Sequence, residues 1–383
     1  MAGTFVFPDD VPTLTDADVT LRAHALSDVD AAVEQCTDPL SIEWTTVPVP
    51  FAREDAVHFV TEIMPGGWRS GRELGFAVEA THPSGERRFS GSVSLRVHGD
   101  GVAEIAYGLH PAVRGRGVAL SAVKLLLDWG FEVQGFDVVL WFAQVGNWAS
   151  RRVAWASGFA FDGTVAKLLL QRGVRHDAWG GSLRAEDTRE PKSTWNEVPV
   201  LESPRLRLRP HRESDATRFG ETVFDPRSRH FNGRMKAIRD IADGSALILR
   251  NVDGVARGDR YNWTIAHPES DLMIGHIQLF DLDGLDDTAA KLGYSVHPDS
   301  RGRGVLTEAL RMVVEWSFRP VEDGGLGKRR LSLTTAASNK ASRHAVEQVG
   351  FVHVATEPLA FTTGEEGFED TATYHRLNPN WAP

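Results

Sequence analysis

Arg114-Gly115-Arg116-Gly117-Val118-Ala119 recurs as Arg301-Gly302-Arg303-Gly304-Val305-Leu306, and each copy closes a strand-like run and opens an apolar helical pattern. Glycines let a chain turn tightly, and free backbone N–H groups at a helix N-terminus point at an anion such as a phosphate or pyrophosphate. A chain carrying this unit twice is expected to form two strand-turn-helix segments and to bind a phosphate-bearing cofactor.

The repeat is wider than the glycines. A spacing of 187 residues (301 less 114) also carries Leu21-Arg22 onto Leu208-Arg209, Asp28 onto Asp215, Tyr107 onto Tyr294, His110-Pro111 onto His297-Pro298 and Trp129 onto Trp316. Further along the spacing becomes 192 (339 less 147), which matches Asn147, Ser150 and Gly158-Phe159 with Asn339, Ser342 and Gly350-Phe351. The five extra residues (192 less 187) are expected in the Gly-rich stretch 323–327, because loops absorb insertions most cheaply. Two copies of one domain follow. They are placed at 1–190 and 205–383, joined by a linker 191–204 in which Pro191, Pro199 and Pro204 interrupt any period. A length of 383 residues gives each copy enough chain for its own core.

Composition excludes more than it selects. Hydrophobic residues at 42% and charged residues at 25% are ordinary for a globular protein. A formal charge of −10 argues against nucleic acid as a partner and weakly favours a cationic amine. No apolar run reaches membrane-spanning length, and the start Met1-Ala2-Gly3-Thr4-Phe5 lacks a basic segment followed by an apolar one. No membrane association and a cytoplasmic location are expected. Cys36 is the single cysteine, so no intrachain disulfide can form, and no metal site is signalled. It reads as a small apolar residue.

Alternation along 102–109 predicts a strand with Ala103, Ile105, Tyr107 and Leu109 on one face and Val102, Glu104, Ala106 and Gly108 on the other. Leu120, Val123, Leu126 and Leu127 then recur at helical spacing, as do Leu306, Leu310, Val313 and Val314 in the second copy. A strand over 138–145, a helix over 147–157 and a strand from Phe159 follow. Each half reads as strand, glycine turn, helix, strand, helix, strand.

This ordered set, from Glu104-Ile105-Ala106-Tyr107 through the glycine turn to Asn147, Ser150 and Gly158-Phe159, resembles the GNAT superfamily of acetyl-CoA-dependent N-acetyltransferases. Both halves are most similar to its RimJ/RimL-like branch, whose domains also begin with a segment like Leu206-Arg207-Leu208-Arg209-Pro210. The resemblance implies an α/β (α+β) fold of two tandem domains, each a mostly antiparallel central sheet with splayed middle strands flanked by helices. It also implies acetyl-CoA as co-substrate, held by backbone N–H groups of Arg114, Gly115, Arg116, Gly117, Val118 and Ala119, and of Arg301, Gly302, Arg303 and Gly304. Asn147 and Asn339 resemble the family's contact to the pantetheine arm; read locally, each is equally a polar cap at a strand-to-helix turn.

The copies differ where chemistry is expected. An amine is nucleophilic only when neutral, so a proton must leave its ammonium form. Glu104 is the candidate base, sharing its face with small Ala106 and Gly108; a surface ion pair with an Arg is the alternative reading. The equivalent residue of the second copy is Lys291, which cannot serve. The sixth turn residue is Ala119 in one copy and bulky Leu306 in the other. The family's frequent proton-donating Tyr is replaced by Ala154 and Val346, which leaves water or the Ser150 hydroxyl to protonate the departing thiolate, unless that hydroxyl is bonded to backbone. His110 and His297 occur in both copies and read as structural rather than as bases. Trp44 and Trp68 fall in the region that forms the acceptor wall in the family, where the second copy has Arg227, Arg229, His230 and Phe231.

The expected activity is acetyl transfer to a primary amine, of a peptide or protein N-terminus or of a small molecule. The first domain is catalytic and the second is structural or covers the substrate. The alternatives are two active domains with separate acceptors, and a non-catalytic acyl-CoA-binding regulatory module. The chain is expected as a monomer or homodimer.

Overall fold

Because every second side chain along 102–109 is apolar, one face of that strand must be covered. In the computed structural model Ala103 and Ile105 are buried, while Glu104, Ala106 and Gly108 are only partly covered. The structure describes residues 11–232, 243–282, 284–364 and 367–381; the opening residues 1–5, read for a leader, lie outside them.

The chain divides into two compact units, 1–192 and 193–383. The first contains β1 (Leu14–Thr15), β2 (Val19–Arg22), β3 (Glu73–Thr81), β4 (Arg87–Gly99), β5 (Val102–Leu109), β6 (Val138–Gln144), β7 (Ala160–Gln171) and β8 (Val174–Arg184). They form one sheet in the order β1-β2-β3-β4-β5-β6-β8-β7. The second unit contains β9 (Leu201–Glu202), β10 (Arg207–Arg209), β11 (Arg260–Ala266), β12 (Met273–Phe280), β13 (Ala289–Val296), β14 (Arg330–Ala336), β15 (Val352–Thr363) and β16 (Gly367–Leu377). Its order, β9-β10-β11-β12-β13-β14-β16-β15, repeats the first. All pairs are antiparallel except β5 with β6 and β13 with β14. This is the expected architecture, twice.

Segment 191–204, expected as a linker, largely belongs to the second unit. Its residues supply β9, which pairs with β10, and the Trp263 indole donates to the Pro199 carbonyl at 2.8 Å. The Asn196 side-chain amide is buried and donates to the Arg260 carbonyl. Three prolines disguised a short edge strand, which tolerates proline where a central strand does not. The five extra residues fall in the loop 319–329, which stands where 133–137 stands in the first unit.

Each sheet is covered on both faces. Phe76 on β3 packs edge-on against Trp129 of the helix Val118–Glu132, while its neighbour Ala77 faces Val29, Ala32, Ala56 and Val60 of the helices between β2 and β3. The second unit repeats this with Trp263 against Trp316 and, across the sheet, Phe219 against His276. Burying each such large side chain contributes about 1.5–3 kcal/mol. The repeated Leu-Arg is also structural: Arg22 grips Asp28 at 2.8 Å and Glu79 at 3.0 Å, and Arg209 grips Asp215 and Asp271, both at 2.8 Å.

Candidate active site

The parallel seam between β5 and β6 lasts only four rungs, from Val102–Val138 to Ile105–Trp141. Beyond Ile105 the strands part, so Ala106 to Leu109 lack a β6 partner on that side. In the second unit the β13–β14 seam ends at Lys291–Ser332. A sheet that opens in its middle exposes backbone polar groups in a cleft, where they need other partners.

The glycine turn stands just past the end of β5. Gly115 and Gly117 take φ of +72° and +82°, a backbone region that favours glycine, and a Cβ at either would meet no atom within 4 Å. Gly117 caps the helix Val118–Glu132 without a side-chain bond, and the first intrahelical bond is donated by the Ser121 N–H to Gly117. Among the described residues no protein acceptor takes the N–H groups of Val118, Ala119 and Leu120. Open space, uncapped donors and the positive end of a helix dipole fit an anionic group such as a pyrophosphate. Gly302 and Gly304 repeat the geometry, with φ of +71° and +77°.

The arginines of the turn divide in two. Arg116 is exposed, but Arg114 folds back: its guanidinium donates to the Leu109 carbonyl at 3.2 Å, to Asp38 at 2.6 Å and to the Ser41 hydroxyl at 2.9 Å. Burial pushes the Asp38 carboxyl up, but the Arg114 guanidinium and the Ser41 N–H outweigh it and hold the group below the usual carboxylate range. Arg301 repeats these ties to Val296, Asp225 and Ser228. The side chains of Arg114 and Arg301 are therefore committed to the protein, and the backbone N–H of Arg114, expected at the cofactor, is also taken, donating to the Pro111 carbonyl at 3.3 Å.

Glu104 lies on the last stretch of paired β5, opposite Arg96 of β4. Its carboxylate is 3.3 Å from Arg96 Nη1 and 3.3 Å from His98 Nε2, with 21% of the side chain exposed. Arg96 also reaches Glu73. The carboxylate is thus both ion-paired and partly open, on the face where Gly108 leaves room beneath Gln35, whose Nε2 lies 3.2 Å from a built Cβ. Gln35 Oε1 is buried without a partner among the described residues. At the equivalent place Lys291 reaches Asp281 at 2.9 Å.

Asn147 and Ser150 are brought together, but by helix capping. The Ser150 N–H donates to Asn147 Oδ1 at 3.1 Å, as the Ser342 N–H does to Asn339 at 3.2 Å. Ser150 Oγ accepts from the Trp141 indole at 3.0 Å and lies 3.0 Å from the Tyr107 hydroxyl, which also reaches the Ser150 carbonyl at 2.9 Å. Burial pushes the Tyr107 phenol up to about 12. The serine hydroxyl therefore locks β5, β6 and the following helix together.

His110 is buried and lies 2.9 Å from Glu34 through Nε2, while its Nδ1 accepts the Ala112 N–H. His297 repeats the contact with Glu221 at 3.0 Å. Both are structural. Cys36 is half-buried and its thiol is pushed up to about 11 by desolvation, unsuited to nucleophilic work. Trp68 belongs to the core cluster with Phe76 and Trp129, whereas Trp44 sits against Gly146 past the end of β6.

Two features escaped the sequence. Leu306 packs against the core of its unit, so its bulk does not fill the second turn. Arg205, by contrast, lies over that turn: it donates to the Arg303 carbonyl at 2.7 Å and pairs with Glu308 at 3.1 Å. Asp18 holds the place of Arg205 in the first copy (205 less 187). Among the described residues no group of three or more His, Cys, Asp or Glu could hold a metal ion, and no helix is long and apolar enough to cross a membrane.

YjcK of Bacillus subtilis (strain 168), named a probable N-acetyltransferase, is 26% identical over 95 residues, which cover 25% of this chain and 50% of YjcK. YdaF of the same organism, whose name provisionally assigns it to the ribosomal N-acetyltransferases, is 29% identical over 80 residues, covering 21% of this chain and 40% of YdaF. The matches thus span half or less of these relatives' own length. Similar solved structures include the ribosomal-protein-S5-alanine acetyltransferase from Vibrio fischeri, at 16% identity and a TM-score of 0.41, covering 48% of this chain and 100% of that one. Mycobacterium smegmatis RimJ in complex with CoA-disulfide stands at 21% and 0.41, covering 47% of this chain and 91% of its own. The family model for the acetyltransferase (GNAT) domain matches residues 18–160 and again 205–352, well over half of the sequence. The chain belongs to the GNAT acetyltransferase family and carries its domain twice.

Proposed function

We propose that the first unit transfers an acetyl group from acetyl-CoA to a primary amine. The observation that carries this reading is the conjunction of an uncapped glycine turn, a cleft where β5 leaves β6, and a half-open carboxylate on the adjoining strand face. Acetyl-CoA supplies an activated acyl group whose thiolate, with a pKa of about 8.5, is a tolerable leaving group. The N–H groups of Val118 to Leu120 hold its pyrophosphate. Backbone N–H groups of Ala106 to Leu109 on the open side of β5 stabilise the oxygen that gains charge as the amine attacks. Glu104 accepts the ammonium proton through water. Proton return to the thiolate falls to water, because Ser150 is engaged elsewhere. A peptide or protein α-amine is the acceptor class favoured by the RimJ/RimL resemblance, and a small-molecule amine is the alternative.

The second unit lacks the carboxylate but keeps the positive-φ glycine turn, which Leu306, packed against the core, does not fill although Arg205 lies over it. That observation favours a second reading in which it binds acetyl-CoA without turning it over. Isothermal titration of acetyl-CoA into the unaltered chain and into Gly117→Trp tests both. One site lost in the variant places the cofactor in the first unit alone, two sites falling to one give the second unit its own, and no binding in either chain refutes the proposal.

A further inference from the structure

The far end of β4 carries a β-bulge: Val97 faces Ala103 and Gly99 faces Val102, which leaves His98 with no rung of its own on β5. A bulge frees a residue from the ladder and re-aims its side chain. Here the imidazole is turned onto Glu104, with Nε2 3.3 Å from Oε2, while the other carboxylate oxygen, Oε1, lies 3.3 Å from Arg96. Each oxygen of the candidate base thus has its own partner. One is a permanent cation, and the other is a side chain of the type that trades protons with water near neutral pH.

The surroundings set these partners apart. Arg96 is shared, since it also reaches Glu73 of β3 at 3.3 Å, and Glu73 accepts from the Ser94 hydroxyl at 2.7 Å. β6 brings no charge to this rung, because its residue there is Leu140. His98 has 49% of its side chain exposed against 21% for Glu104. The chain of contacts from Ser94 through Glu73, Arg96 and Glu104 therefore ends in solvent at the imidazole.

The second unit changes the whole set. Where Arg96 faces Glu104, Phe280 faces Lys291, and the β12–β13 ladder reaches that rung without a register shift. Two residues beyond Phe280, in the place of His98, stands Leu282. Carboxylate, guanidinium, imidazole and bulge are absent together, as expected of parts that serve one task.

We infer that His98 is the proton outlet of the first unit. This rests on the reading of Glu104 as the base. The ammonium proton crosses water to the Glu104 carboxylate, which leaves a neutral amine and a neutral carboxyl. The carboxyl passes the proton from Oε2 to His98 Nε2, which restores the carboxylate and makes an imidazolium, and the imidazolium releases it to water. Imidazoles as a class hold protons more tightly than carboxylates, so the transfer runs toward solvent. Arg96 carries no acceptor and cannot take this part. His98 acts through Glu104 and does not touch the amine.

The test compares the full chain with Glu104→Gln, His98→Ala and His98→Gln; the last keeps a polar side chain that takes up no proton. kcat for a panel of amines and the KM for acetyl-CoA are measured at constant ionic strength between about pH 6.5 and pH 10, with and without added imidazole. Both His98 variants are expected to lose kcat about tenfold near pH 7, less than Glu104→Gln, and to converge with the parent near pH 10, while the acetyl-CoA KM stays within about twofold. Added imidazole should restore His98→Ala in proportion to its concentration and leave the parent and Glu104→Gln unchanged. A His98→Ala rate equal to the parent's near pH 7 overturns the outlet, while a slow Glu104→Gln keeps the base. A loss that imidazole does not restore, or that His98→Gln does not show, makes His98 a packing partner of Glu104 and also overturns it. If the parent acetylates no amine, or Glu104→Gln matches it at every pH, the underlying reading fails and this inference falls with it.

Discussion

Glu104 and Arg96 face each other across β4 and β5 with their charged groups 3.3 Å apart, and at the equivalent rung of the second unit Phe280 faces Lys291. The same place in one architecture thus holds a carboxylate in one copy and an ammonium in the other. Only the first can relieve an ammonium substrate of its proton.

A Glu104→Gln variant is therefore expected to lose rate mainly near neutrality. An amine of pKa about 10.4 is only about a thousandth neutral at pH 7.4, and general base catalysis contributes about 10²-fold or more. kcat/KM should fall by about two decades near pH 7 and converge with the parent near pH 10. Lys291→Gln should leave the profile unchanged. A Glu104→Gln profile parallel to the parent at every pH would remove the base from this residue.

Ser150→Ala separates proton donation from packing. Deleting the hydroxyl strands the Trp141 indole and one bond of Tyr107, so a loss of about 1–2 kcal/mol in urea unfolding is expected. The accompanying change in kcat should be far smaller than that of Glu104→Gln. A two-decade fall in kcat with undiminished stability would restore the hydroxyl as the acid.

Much of this was legible in sequence because repeated glycines, apolar periodicity and caps act over neighbours in the chain. The glycine turn and the capping asparagines were local signals, whereas the parting of the middle strands came only with the family resemblance. The commitments of Arg114 to Asp38 and of His110 to Glu34 each span 76 residues, and no local pattern announces them. Arg205 shows the same limit: it covers a turn almost a hundred residues away. A pair recurring at both copies, such as Asp38 with Asp225, was the available clue, since duplicated polar residues with duplicated partners point to scaffolding.

Gly117→Ala probes the turn with the smallest possible change. No atom crowds the added Cβ, so the cost is the left-handed backbone alone, about 1–2 kcal/mol. Urea unfolding should show that loss, and calorimetry should show weaker acetyl-CoA binding because the N–H groups shift. Gly304→Ala is expected to cost as much in stability. Unchanged acetyl-CoA affinity in Gly117→Ala would argue against the turn as the pyrophosphate site.

Buried histidines set an acid limit. Desolvation lowers His24 to about 4, His211 to about 4 and His276 to about 3. Unfolded histidine titrates near 6.5, so below that pH the unfolded chain takes up protons that the folded chain refuses. Stability is full above about 6.5 and is lost as pH falls toward 4, by about 3 kcal/mol for His24 alone. A His24→Gln variant should flatten the dependence of the urea midpoint between pH 6.5 and 4. An unaltered slope would mean that His24 is charged in the native state.

The edge strand β9 decides where the molecule can be divided. A fragment begun at residue 205 would leave β10 as a raw edge, open to pairing with strangers, and would take the Pro199 carbonyl from the Trp263 indole at the centre of its core. Anyone separating the halves by protease or by gene should cut ahead of Ser193, where the second compact unit begins, and not at the prolines that look like a hinge.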